Sequence, residues 1–142
     1  MLLSVLFFAS KPSSAADPEP EFSGVWRIDL RTPEQRRNKA ECGFAQFELQ
    51  QSGDRVRGDH SMFTTGCGRM NEGGEGTVVG VVHAGHAILV VSSGRNGAMV
   101  LGKAVRRGTA LHWQTLERLK EGEPEGDSPL ILDEGLLRLV PK

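Results

Sequence analysis

From residue 22 onward, apolar and polar side chains alternate in short runs separated by glycine-bearing turns. Over 22–30, Trp26, Ile28 and Leu30 fall on one face and Arg27 and Asp29 on the other. That two-residue period marks a half-buried strand. It returns over 44–51, 55–62, 77–83, 87–93, 98–106, 110–119 and 135–140, so the pattern predicts eight strands. Asn96-Gly97 and Arg107-Gly108 supply turn signals between them. One interruption has helical character: Thr32-Pro33-Glu34-Gln35 offers a capping hydroxyl, a proline in the first turn and an acid behind it. This predicts a short helix over 33–40. The stretch 64–76 reads as a long polar loop with room for one short strand, and 120–129 as an acidic turn-forming segment.

Three strands share a signature: Val56-Arg57-Gly58, Val78-Val79-Gly80 and Val100-Leu101-Gly102, each 22 residues after the last. A glycine inside a strand costs stability, and its usual reason is a sharp bend or a close backbone approach, as in a small barrel. The expected fold is therefore all-β: a single antiparallel meander β-barrel of about eight strands, with one short helix after the first strand. Closure of eight strands leaves an interior wide enough for side chains or one small ligand, and removes exposed edges. Trp26, Phe47, Leu49 and Trp113 are expected inside. A flattened sandwich is the architectural alternative.

Gly24-Val25-Trp26, near the start of the first strand, resembles the G-x-W signature of lipocalins and their calycin relatives, and the strand meander is similar to lipocalin-like and avidin-like barrels. The resemblance implies a barrel whose mouth takes a small, mostly apolar ligand or whose loops bind proteins. No later lipocalin motif and no biotin site accompanies it.

The first residues change the expected compartment. An apolar run over 2–9 leads into small residues, and Ser14-Ala15-Ala16 fits signal-peptide cleavage before Asp17. The expected organisation is a signal peptide over 1–16, a proline-rich linker over 17–21 and the barrel over 22–142. No Lys or Arg precedes the apolar run, which points to a translation start further upstream. Basic and acidic residues number 17 and 18; loss of Lys11 with the leader leaves 16 against 18, a formal charge of −2. Such a balance does not suit a nucleic-acid binder, which needs a basic face. The apolar run over 2–9 is too short to span a bilayer, and no second apolar stretch could do so. The two cysteines, Cys42 and Cys67, are expected to pair in an oxidising compartment, the periplasm or the medium.

Candidate chemistry is sparse. His60 follows Val56 and Gly58 at inward parity, and Glu117 follows Leu111, Trp113 and Thr115 in the same way. An imidazole, a carboxylate and the flat indole of Trp113 would then line a barrel mouth as a ligand's anchors, or as an acid–base pair. Loop residues Arg69, Asn71 and Glu72, with Arg95 and Asn96, are candidates for contact with a partner protein. His83 and His86 are three apart, whereas metal ligands on one strand sit two apart, so no metal site is expected. Arg57-Gly58-Asp59 lies mid-strand rather than on a loop tip. Gly126-Asp127-Ser128-Pro129 resembles the start of the G-D-S-L hydrolase block, but its late position and its proline make it a turn.

The leading expectation is a non-catalytic, exported binding module of a bacterial cell envelope. It would hold a small ligand in the barrel mouth or block a partner protein through its loops, without a cofactor. An enzyme using His60 and Glu117 and a structural envelope protein are the alternatives. Whether the barrel is hollow discriminates among them.

Overall fold

A computed structural model of the protein describes residues 9–10 and 21–142. Apart from Ala9, Ser10 and Glu21, the expected signal peptide and linker lie outside the described residues.

The chain forms β1 (Gly24–Asp29), α1 (Pro33–Arg37), β2 (Cys42–Ser52), β3 (Arg55–Thr65), β4 (Met70–Asn71), β5 (Val78–His83), β6 (His86–Ser92), β7 (Met99–Arg107), β8 (Ala110–Lys120) and β9 (Glu134–Leu139). All pairings are antiparallel. The ring runs β2, β1, β9, β8, β7, β6, β5, β3 and closes through β2 on β3. This is an eight-stranded meander barrel; β4 is a two-residue addition paired to Met62 and Phe63 of β3. The helix is shorter than expected. Thr32 and Gln35 form a reciprocal capping box, but Asn38 closes the last turn and Lys39 takes a left-handed backbone (φ 53°), so the helix cannot continue to residue 40.

The repeated glycines are explained by crowding. Gly58 faces Leu49 across β2, and a Cβ there would overlap the Glu48 carbonyl. At Gly80 it would overlap the Ile88 carbonyl, and at Gly102 the six-membered ring of Trp113. The signature thus marks places where the curved wall leaves no room for a side chain. Trp26, Phe47, Leu49 and Trp113 are all buried, as their alternation requires. With Leu89 and Leu111 they fill the interior.

The barrel has two dissimilar ends. At one, Phe22 is tucked under the wall: its N–H donates to Gln51 Oε1 at 2.9 Å, and its carbonyl accepts from Trp26 Nε1 at 2.9 Å. The Arg106 guanidinium lies 5.1 Å from the Trp26 ring centre and donates to the Glu21 carbonyl. At the other, the segment 121–133 between β8 and β9 crosses the mouth. Cys42 and Cys67 form the expected disulfide there, clamping the β3–β4 turn to the start of β2. Both half-cystines hold a left-handed backbone (φ 58° and 60°), a conformation the bridge helps to fix.

Two consequences are measurable. Gly102→Ala should lower unfolding stability by about 1–3 kcal/mol in chemical denaturation. Trp113→Leu in the same chain should make that loss less than additive, because the ring that clashes has gone. Replacing both cysteines by alanine should cost roughly 3 kcal/mol, since the bridge closes a 25-residue separation.

Candidate functional site

The mouth is the place where the buried polar side chains collect. His60 reaches it from β3 and is wholly buried. Its Nδ1–H donates to the Gln46 carbonyl at 2.9 Å, which leaves Nε2 to accept the Leu132 N–H at 3.1 Å. The ring stacks on Phe47 with centres 4.3 Å apart, and Phe47 lies 5.0 Å from Trp113. Trp113 Nε1–H in turn donates to the Leu132 carbonyl at 2.7 Å. Both polar groups of one residue in the crossing segment are thus taken by the two barrel side chains expected to meet a ligand.

Further polar groups fasten the same segment. Asn71, also wholly buried, donates to the Leu130 carbonyl at 3.0 Å and accepts from the N–H groups of Gly73 and Gly94. Ser93 donates to the Pro129 carbonyl at 2.7 Å, and Asn96 to the Asp127 carbonyl at 3.1 Å. Arg95 pairs with Asp127 at 3.3 Å. Leu130 and Leu132 press their side chains inward and are nearly inaccessible.

The structure does not bring Glu117 to His60. Pairing runs Gly102 to Thr115, then Leu101 to Glu117, so Leu116 is an extra residue in β8. That bulge reverses the alternation. Glu117 lies opposite Leu101 and is exposed, against the expectation of an inward carboxylate. The loop candidates divide. Asn71 is buried and Asn96 half-buried, and both are engaged within the fold as described; Arg95 is exposed and pairs with Asp127. Arg69 and Glu72 are exposed; the Arg69 carbonyl accepts the Thr64 N–H and hydroxyl, which shapes the loop.

Sequence parity alone could not locate the bulge. What it also missed is Asp59, on the outer face of β3. It stands opposite Glu48 and shares a shallow hollow with Arg57 and Glu75. Burial raises the Asp59 pKa, the Gly74 N–H opposes this, and the facing Glu48 adds to the rise. Among the described residues no three His, Cys, Asp or Glu side chains converge as metal ligands. Both His60 nitrogens are occupied, and Glu117, the carboxylate expected beside it, lies outside.

No protein-family model, no curated protein and no solved structure matches the chain.

The His60 environment sets a pH dependence. Burial lowers its pKa to about 4, with the Gln46 carbonyl acting in the opposite direction. In the unfolded chain a histidine titrates near 6.5. Between these values the unfolded chain binds the proton and the folded chain does not. The stability due to neutral His60 is therefore complete above pH 6.5 and is lost progressively as pH falls towards 4, on the order of 3 kcal/mol in all. Asp59 acts with the opposite sign, because protonation relieves its buried charge. Denaturation midpoints of wild type and His60→Gln across this window cancel the Asp59 contribution. The wild-type slope should be the steeper; equal slopes would remove His60 as its source.

Proposed function

We propose that the chain is an exported, non-catalytic binding module that acts on a partner protein through the outside of its barrel. One observation carries the reading: the interior is filled by the protein's own side chains, and its mouth is occupied by the protein's own segment 121–133. A small ligand would have to displace Leu132 before it touched His60 or Trp113. The disulfide supports an oxidising compartment, and the apolar start of the chain supports export to the periplasm or the medium. The resemblance of Gly24-Val25-Trp26 to lipocalin-like barrels is compatible with binding through the outer surface.

The face best suited to such contact lies on β5, β6 and β7. Val79, Val90 and Leu101 stand side by side across three strands, with Val81 and Ile88 in the next row. Val79 and Val81 are 39% and 40% exposed. Arg57 and Arg55 stand opposite these two valines on β3 and edge the apolar band with positive charge. A contiguous apolar patch with a polar rim is the usual mark of a protein contact. The matching surface would present an apolar side chain flanked by carboxylates.

Affinity capture from envelope extract tests this, with wild type and three variants as bait. A specific partner should be retained by wild type and lost, by tenfold or more, with Val79→Thr/Val81→Thr and with Arg55→Ala/Arg57→Ala. It should persist with Arg69→Ala/Glu72→Ala. Loss only in the last variant would move the contact to the loop. Capture of a small molecule by a chain sensitive to Trp113→Phe would overturn the reading in favour of the mouth.

A further inference from the structure

His83 and His86 are brought closer than their spacing suggests. They are the last residues of β5 and the first of β6, and they are direct partners in the ladder. The turn between them is two residues long, Ala84 at φ 51° and Gly85 at φ 77°. Two successive positive φ values are the signature of a type I′ hairpin turn, which matches the twist of its strands. Direct cross-strand partners share a face, with Cβ atoms roughly 4.5–5.5 Å apart. Their neighbours Val82 and Ala87 are buried, so both imidazoles lie on the outer face. Three residues apart along the chain is thus the right interval for one face, because the turn consumes two positions.

We infer that His83 and His86 form a two-imidazole seat for a divalent transition-metal ion, copper(II) foremost. Imidazole suits zinc, copper and nickel, and divalent affinity in this series peaks at copper. Metal–nitrogen bonds of about 2.0–2.1 Å, as zinc makes to histidine, place two ligands of one ion within the reach of such a pair. The backbone is set before an ion arrives. The Val82 N–H is bonded to the Asp54 carbonyl at 2.7 Å, and β6 is paired along its length to β7. Little ordering entropy therefore remains to be lost at the ends of the two strands. Asp54 and His83 edge the same outer hollow, so a carboxylate contributes negative potential beside the seat, partly offset by Arg55 at 3.9 Å from it. Val105, the partner of His86 on β7, supplies an apolar wall on the other side. Water completes the coordination of an ion held by two protein nitrogens. The seat is separate from the mouth at the far end of the barrel and from the chemistry of His60.

The test is titration of the tag-free full chain with copper(II), read by calorimetry and by electron paramagnetic resonance. Wild type should show a site whose spectrum carries two imidazole nitrogens. His83→Gln and His86→Gln should each weaken it by more than tenfold, with far-UV circular dichroism unchanged. His112→Gln should leave it intact, although His112 is also exposed and bonds Glu134 at 3.3 Å. Should glutamine at either position disturb the turn, diethyl pyrocarbonate modification of the wild type, mapped to His83 and His86 and blocked by copper(II), reads the same contact. Wild-type affinity in both glutamine variants, a spectrum without two imidazole nitrogens, or modification unprotected by copper(II) would overturn the assignment.

Discussion

The backbone of Leu132 is gripped from two sides of the barrel: its N–H is held by His60 on β3 and its carbonyl by Trp113 on β8. These strands are not neighbours in the ring, so the grip spans the mouth and ties the two walls through the segment between β8 and β9. The constraint propagates. A neutral His60 with its proton on Nδ1 is required for Nε2 to accept, and the Gln46 carbonyl fixes that proton. Trp113 must lie flat across the interior to reach Leu132, and Gly102 must lack a side chain to let it. A strand glycine, a buried histidine and a loop backbone are thus parts of one arrangement.

That arrangement decides what the barrel can be used for. An eight-stranded barrel is at the size where side chains alone can fill it. Here two tryptophans, Phe47 and several leucines do so. Buried polar groups are tolerated in such an interior only when partnered, and no buried side-chain nitrogen or oxygen among the described residues lacks a partner. Asn71, His60 and Ser93 hold loops in place through those partners. The outer wall is less constrained, and it is there that exposed valines stand opposite Arg55 and Arg57.

The strand pattern was legible because burial on one face imposes a two-residue period that survives in the sequence, and Trp26, Phe47, Leu49 and Trp113 declared the interior through it. The 22-residue glycine spacing also spoke truly, since each glycine meets an adjacent backbone or ring. Two kinds of fact were hidden. The first is parity beyond a bulge: nothing in Thr115-Leu116-Glu117 signals that Leu116 is unpaired, so Glu117 read as inward. The second is long-range partnership. That Asn71 bonds Leu130 or that Ser93 bonds Pro129 depends on where a loop lands, across separations of 59 and 36 residues. The same limit concealed the cross-turn pairing of His83 and His86, which depends on the turn being two residues long.

Energy, finally, weighs the filled mouth against an open one. Lifting 121–133 would strip partners from His60, Asn71 and Trp113, each at about 1 kcal/mol net and more while the group stays buried. It would also expose Leu130 and Leu132, whose burial contributes roughly 1.5–3 kcal/mol apiece. The backbone freedom that the lifted segment would regain opposes these losses. A ligand selecting the open state would bind with its intrinsic affinity reduced by the fraction of molecules in that state. It could recover the loss only by offering His60 a donor and Trp113 an acceptor in place of the Leu132 backbone. A partner that meets the barrel from outside carries no such penalty, because the valine face and its arginines are already in position.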